Sequence, residues 1–174
     1  MQDQKTTETG QAQTKMVIDQ VINYWENSAN AITTIYKKND DEFYFQAVAP
    51  GRNRAIYLLA HMIAINDTML PLFGLGEKLY PHLAPFAHSP EHTVPYVLDI
   101  TELKVQWQAL TLTLADNFRK MSAHTWLDRH NSINEENFRL DPTRNKLSVL
   151  IHRTGHQEHH KGQLALLNEK TVAA

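Results

Sequence analysis

The stretch "LIHRTGHQEHHKGQLALL", residues 150–167, has apolar residues on both sides of a dense group of polar ones. Within nine positions it contains four histidines, which are His152, His156, His159 and His160. At about 100° per residue in a helix, these four side chains fall within a sector of roughly 100°, with Gln163 near its middle. Because Val149 and Leu167 share that sector, we expect the histidine face to be turned at least partly inward. An unpaired buried polar group costs about 1 to 3 kcal/mol, so this face needs partners.

Composition restricts the classes of protein to which the chain can belong. Its 174 residues are 42% hydrophobic, enough for one domain with a sizeable core. The formal net charge of −2 provides no basic field that would attract nucleic acid or anionic membranes. We therefore expect neither of these partners.

The chain has no cysteine, which excludes disulfides, thiolate ligands and a cysteine nucleophile. The N-terminus lacks the apolar segment of a signal peptide, and no apolar run approaches the length of a membrane-spanning helix. These features predict a cytoplasmic protein. We further expect residues 1–13 to be a disordered polar leader and residues 14–170 to form the folded domain.

Apolar residues at intervals of three and four predict an all-α, single-domain four-helix bundle. The predicted helices span residues 14–38, 54–73, 97–121 and 142–169, the last capped by Asp141 with Pro142 at its first position. The apolar face of the first helix is predicted to comprise Val17, Val21, Tyr24, Trp25, Ala31, Ile32 and Ile35. Residues 74–95 carry four of the seven prolines and form a long connection, which is typical of a segment that shapes the rim of a site.

A metal ion is an efficient partner for several histidines at once. His156 and His160 have the i, i+4 spacing that brings two imidazoles over the same turn, where one divalent ion can bridge them. His61, at the edge of the apolar stripe of the second helix, is the natural third ligand. Three imidazoles leave a coordination position open, which distinguishes catalytic from closed structural metal sites.

Other interpretations remain open from the residues alone. An i, i+4 histidine pair is common on solvated helices, and a lone His61 is often a core or rim residue. The remaining histidines lie in the polar connections and are interpreted as exposed loop residues; they are His82, His88, His92, His124 and His130. Trp25 and Trp107 are interpreted as core or interface aromatics, as is Trp126.

Two other classes of metalloprotein fit less well. A di-iron bundle uses Glu-x-x-His pairs, but Glu158 is followed three positions later by Lys161. A zincin protease needs glutamate directly after the first histidine, and Gln157 stands there.

The segments "PGRNRAIYLLAHM" (50–62) and "HRTGHQEHHKGQLALL" (152–167) resemble the DinB-like family of small helical metal-binding proteins. The resemblance implies that His61, His156 and His160 are the ligands of one divalent metal ion, which could be Zn, Ni or Fe. The family's frequent arginine after the last ligand is Lys161 here, which keeps the charge but loses the guanidinium fork. His152 and His159 are expected to line the cavity or to replace a ligand.

The resemblance also implies a metal-dependent enzyme. Members are similar to thiol S-transferases that use low-molecular-weight thiols such as bacillithiol, or to hydrolases or isomerases. We therefore expect thiol-dependent S-transfer to a small electrophile, or a related hydrolysis, by a homodimer. The alternative is a non-catalytic, metal-stabilised stress or ligand-binding protein. No general base is assigned among the candidates, which are His152, His159, Glu158 and Asp67.

Overall fold

The computed structural model describes residues 2–93 and 97–172, with side chains described for residues 9–91, 93 and 97–167. The described residues form eight α-helices: α1 (Gln2–Lys38), α2 (Asp41–Phe45), α3 (Ala55–Asp67), α4 (Met69–Phe73), α5 (Ile100–Lys120), α6 (Ala123–Leu127), α7 (Glu135–Leu140) and α8 (Lys146–Val172). Two 3₁₀ helices, Pro81–Ala87 and Glu91–Thr93, lie in the long connection.

The four longest helices pack in a ring in which α1 contacts α5 and α8, and α3 contacts the same two helices. This arrangement confirms the all-α class. The number of helices is larger than the predicted four, because short helices occupy the connections. The 3₁₀ helix Pro81–Ala87 packs against α3, so the long connection covers part of the bundle.

The helix α3 is the most buried element, and specific residues fix where it begins and ends. Before it, Gly51 adopts a φ of 69°, a left-handed conformation that suits glycine in a turn. The buried carboxylate of Glu91 then accepts a hydrogen bond from the backbone N–H of Arg54 at 2.8 Å and pairs with its guanidinium. The predicted continuous helix 54–73 is wrong in one respect, since it breaks at Thr68. Pro71 explains the break, because a proline cannot donate to the carbonyl four residues earlier and clashes with it.

The first helix differs from its prediction in two ways. It begins at Gln2, inside the predicted disordered leader, and continues through polar residues that are exposed at positions 9–13. Glutamine, lysine and glutamate favour helix, so a polar sequence without proline can extend a helix into solvent. Its buried face is also different: Val17 and Tyr24 are half exposed, and the core is formed by Ile18, Ile22, Trp25, Ala29, Ile32 and Tyr36.

The start of α8 was also predicted wrongly. Asp141 does not cap this helix; its carboxylate accepts hydrogen bonds from the backbone N–H and hydroxyl of Thr143 in a local turn. The helix begins at Lys146, where Asn145 Oδ1 accepts the N–H of Ser148 at 2.9 Å. Asparagine and aspartate are equally good caps, so composition alone does not distinguish the two positions. In α5, a similar cap by Asp99 moves the start from the predicted 97 to Ile100.

All three tryptophans, Trp25, Trp107 and Trp126, are at most 2% exposed. They are core residues and do not form exposed faces on which two bundles could pair, so the homodimer stays a prediction without these contacts. The segment Ala55–Phe73 is long and apolar enough to cross a membrane, contrary to the sequence-based expectation. Since 78% of its most apolar stretch is buried within the protein, these side chains pack in the core of the bundle.

A buried chain of amide side chains connects α1, α3 and α8. Asn66 on α3 donates to Gln157 Oε1 on α8 at 3.2 Å, and Gln157 donates to the carbonyl of Trp25 on α1 at 3.3 Å. Both amide side chains are at most 2% exposed. Because buried polar groups are costly unless paired, these bonds favour one rotation of α8 about its axis.

We expect Asp67→Asn to destabilise the protein, because the buried Asp67 carboxylate accepts the N–H groups of Leu79 and Tyr80 at 2.9 and 2.8 Å. Asparagine retains one acceptor oxygen and places an N–H₂ group against the other donor. A buried donor left without an acceptor costs about 1–3 kcal/mol, a loss that urea denaturation can measure. The control is Asp99→Asn, an exposed cap where both residues serve equally. Equal effects of the two substitutions would contradict the prediction.

Candidate metal centre

Three histidine nitrogens from two helices converge at one point. His61 Nε2 lies 3.1 Å from His156 Nε2, which in turn lies 3.1 Å from His160 Nε2. All three ligand atoms lie within 4.8 Å of one another. His61 projects from the middle of α3, and the other two project from successive turns of α8. The structure therefore brings together the three residues for which the sequence predicts metal ligation.

The outer nitrogens of two of these rings are held by hydrogen bonds. His61 Nδ1 lies 2.7 Å from the carbonyl of Phe86, and because a carbonyl can only accept, this nitrogen carries the proton. His160 Nδ1 lies 2.8 Å from Gln163 Oε1, while Gln163 Nε2 donates to His159 Nε2 at 3.2 Å. In a neutral imidazole, a protonated Nδ1 leaves Nε2 as a bare lone pair. Both rings are thus fixed in the tautomer that can bind a metal through Nε2.

The convergence of these nitrogens is suited to binding a cation. His156 Nε2 can donate a proton to one neighbour but not to both, so at least one 3.1 Å approach has no proton between its two nitrogens. Two nitrogens bound tetrahedrally at 2.0–2.1 Å from one zinc ion would be about 3.3 Å apart. Imidazole nitrogen is also a preferred ligand for zinc, nickel and iron. The residues present therefore fit a single divalent ion.

The electrostatic setting keeps the three imidazoles neutral. Burial, with the electrostatic effects of neighbouring histidines, lowers the pKa of His156 to about 4, and burial likewise lowers the pKa of His160 to about 4. Burial also lowers the pKa of His61. Neutral imidazole is the form that binds metals, so all three are in the binding form at neutral pH.

An open cleft of about 620 Å³ reaches the centre at His160 and Gln163. Its other wall comes from the turn before α3, including Arg52 and Asn53, and from Glu91. The volume lies within the usual range for small-molecule sites, about 300–1,000 Å³. A ligand in this cleft would contact the edge of the histidine group.

The proposed neighbours of the site have different roles. His159 is exposed but lies beside His160, with ring centroids 5.2 Å apart. His152 is exposed one turn before His156. Two candidate bases have other partners: Glu158 pairs with Lys161 at 2.6 Å, and the Asp67 carboxylate is used by backbone N–H groups. Lys161 is thus engaged along its own helix.

Of the histidines assigned to exposed loops, His82 and His88 are exposed as expected, although His82 lies within the 3₁₀ helix Pro81–Ala87. His124 is exposed but lies within α6, where it pairs with Asp128. His130 is partly buried and contacts Ser132 at 2.8 Å, so its exposed assignment was wrong. The side chain of His92 lies outside the described residues.

Two contributors were missed from the sequence. The Phe86 carbonyl is a backbone group, so no residue type could have indicated it. Arg153 is close enough to affect the pKa values of His61 and His156. The sequence could have indicated that Arg153 lies near the histidines, because it precedes His160 by seven residues, which is two helical turns on the same face.

The stability of the metal-free protein should fall as the pH is lowered from about 6.5 towards 4. An unfolded histidine has a pKa of about 6.5, whereas His156 and His160 in the fold have values of about 4. Between these values the unfolded chain binds more protons, so acid favours unfolding. Urea denaturation with a chelator at several pH values measures this. The variant with glutamine at His61, His156 and His160 should show a flatter dependence; an unchanged slope would refute the explanation.

Gln163→Leu should weaken metal binding by about 10–100-fold, the usual effect of losing a hydrogen bond that orients a ligand. Leucine preserves the approximate size of the side chain but cannot accept the His160 Nδ1 proton. Competition with a chromophoric chelator measures the affinity. Gln108→Leu, at an exposed position of α5, is the control and should have no effect. An unchanged affinity in Gln163→Leu would mean that His160 needs no such support.

The model of the DinB family matches residues 1–169, nearly the whole chain. No curated protein matches the sequence significantly. With the all-α fold and the three-histidine group, this match leads to one conclusion: the chain belongs to the DinB family.

Proposed function

We propose that the protein is a divalent-metal-dependent enzyme that transfers the sulfur of a low-molecular-weight thiol to a small electrophile. Hydrolysis of a related substrate by the same centre is the closest variant of this proposal. The observation that carries it is the convergence of three neutral imidazole nitrogens beside an open cleft. A closed structural site would instead have its fourth ligand from the protein, and the described residues place no fourth His, Cys, Asp or Glu in this group.

His61, His156 and His160 would hold the ion, which could be zinc, nickel or iron. A divalent ion held there supplies a positive charge that lowers the pKa of a coordinated thiol or water and so provides a nucleophile near neutral pH. The carbonyl of Phe86 and the amide of Gln163 keep the rings oriented while substrates exchange. Since the chain has no cysteine, the reacting sulfur would come from the cosubstrate.

The reaction balances without an oxidant. The thiol loses its proton to solvent, its sulfur forms a bond to the electrophilic carbon, and the leaving group departs with the electron pair of the broken bond. The cleft beside His160 and Gln163 would hold the electrophile. A small-molecule substrate is consistent with its volume, and we propose that the protein acts in the cytoplasm.

The first experiment measures metal content by mass spectrometry on untagged protein, followed by activity. We expect about one equivalent in the wild type and a large loss in His61→Ala, His156→Ala and His160→Ala. His152→Ala, an exposed histidine of the same helix, is the control and should retain the metal. The metal-loaded protein is then assayed with cysteine and 1-chloro-2,4-dinitrobenzene for S-transfer, and with p-nitrophenyl acetate for hydrolysis.

Metal-dependent thioether formation that is lost in the three variants would support S-transfer. Metal-dependent ester cleavage without thioether formation would favour the hydrolase. A full equivalent of metal that stabilises the fold but allows neither reaction would favour the non-catalytic, metal-stabilised alternative. Wild-type protein that neither contains nor takes up metal would refute the proposal.

A further inference from the structure

Arg153 is a cation on α8 near the three-histidine centre, and no carboxylate among the described residues pairs with it. It lies on α8, three residues before His156, and its side chain is partly buried. Its Nη2 donates a hydrogen bond to Thr68 Oγ1 at 3.2 Å. Its Nε is fully buried and has no hydrogen-bond acceptor among the described residues. At least one donor of the guanidinium is thus unused, on a side chain that lies one helical turn from His156.

The partner at Thr68 does not neutralise this charge. A hydroxyl is uncharged, and Thr68 already donates its own proton to the carbonyl of Ile65 at 2.6 Å. Burial lowers the pKa of Arg153, and no described carboxylate opposes this effect. Arginine nevertheless stays protonated in proteins. A partly buried, unpaired cation is costly, and the cost falls when an anion binds to it.

The other ionisable groups near the centre are also basic. His159 lies beside His160, with ring centroids 5.2 Å apart, and Arg153 lies on α8 three residues before His156 and contacts Thr68 just after α3. The acidic side chains that flank this region have partners of their own: Glu158 pairs with Lys161, and Glu91 pairs with Arg54. With a divalent ion on three neutral imidazoles, the centre and Arg153 would together carry about three positive charges. Such a site favours an anionic ligand.

We infer that Arg153 binds the carboxylate of the thiol cosubstrate, so that the substrate class is a low-molecular-weight thiol that carries a carboxylate. A guanidinium matches a carboxylate geometrically and can form two parallel charge-assisted hydrogen bonds with it. Arg153 and His156 lie one turn apart on α8, so a ligand can place its carboxylate on one and its sulfur near the other. This inference rests on the proposed function and specifies its cosubstrate.

The alternative is a structural role, in which Arg153 only ties α8 to Thr68. The two roles differ in a measurable quantity. A structural tie affects the binding of all ligands or the stability of the fold, whereas an anion-binding residue affects only ligands that carry a negative charge. The test therefore compares a charged and a neutral thiol in the same protein.

The experiment uses cobalt-loaded protein, whose visible spectrum changes when sulfur binds the ion. Mercaptoacetate and 2-mercaptoethanol are titrated into the wild type, Arg153→Gln and Arg153→Lys. We expect mercaptoacetate to bind the wild type at least about tenfold more tightly than 2-mercaptoethanol. In Arg153→Gln this preference should disappear while the affinity for 2-mercaptoethanol is unchanged, and Arg153→Lys should retain part of it.

Two further variants test the position of the anion. Arg144→Gln alters the net charge equally at an exposed position before α8, so it should preserve the preference. Arg52→Gln removes the exposed arginine that lines the neighbouring cleft. Loss of the preference in Arg52→Gln, but not in Arg153→Gln, would place the carboxylate in the cleft and overturn the inference. Equal affinities of the wild type for both thiols would also overturn it, while leaving thiol transfer intact.

Acetate separates failure of the inference from failure of the proposed function. It carries the carboxylate without the thiol, and calorimetry follows its binding to cobalt-loaded and metal-free protein. If neither thiol binds the ion, the S-transfer proposal fails. The acetate measurement then shows separately whether Arg153 binds a carboxylate. Acetate binding that is weakened at least about fivefold in Arg153→Gln supports the anion site, and unchanged or absent acetate binding refutes it.

Discussion

Repulsion between lone pairs is the constraint around which the centre of this bundle is organised. Three imidazole nitrogens face one another, with two approaches of only 3.1 Å, and burial keeps all three rings from taking up protons. The protein holds them there from behind, through the Phe86 carbonyl on one ring and the Gln163 amide on another. Each of these hydrogen bonds orients a ring before any ion arrives. Folding thus supplies the free energy needed to bring the three ligand nitrogens together, and metal binding can recover part of that free energy.

Some parts of this site are specified by spacing within one helix and others by packing between elements. The first kind could be predicted from the sequence more readily than the second. The i, i+4 spacing of His156 and His160 is a property of one helix, so the convergence of that pair could be predicted. His61 could be placed because it lies at the edge of the apolar stripe of its helix, from which it can point into the bundle. The Phe86 carbonyl could not be predicted, because it depends on how a proline-rich 3₁₀ segment packs on α3.

The errors in the predicted helices have a common physical origin: different residues were almost equally suited to the same buried or capping position. In α1, Val17 and Tyr24 compete with Ile18 and Ile22 for the buried face, and packing against α5 and α8 selects the second pair. Asp141 and Asn145 compete to cap α8, and the chosen cap depends on the turn that Asp141 forms with Thr143. Local propensity left both choices open, whereas the tertiary structure resolved them.

Rotation of α8 about its axis is the variable that couples the core to the site. A rotation of one residue, about 100°, would move His156 and His160 away from His61 altogether. Apolar packing alone tolerates such shifts better than a buried hydrogen-bond network does. Gln157 accepts from Asn66 on α3 and donates to Trp25 on α1, and it directly follows His156 in the chain. The amide of Gln157 can bond to both partners in only one rotation of α8. Its two hydrogen bonds therefore also direct the neighbouring His156 towards the centre.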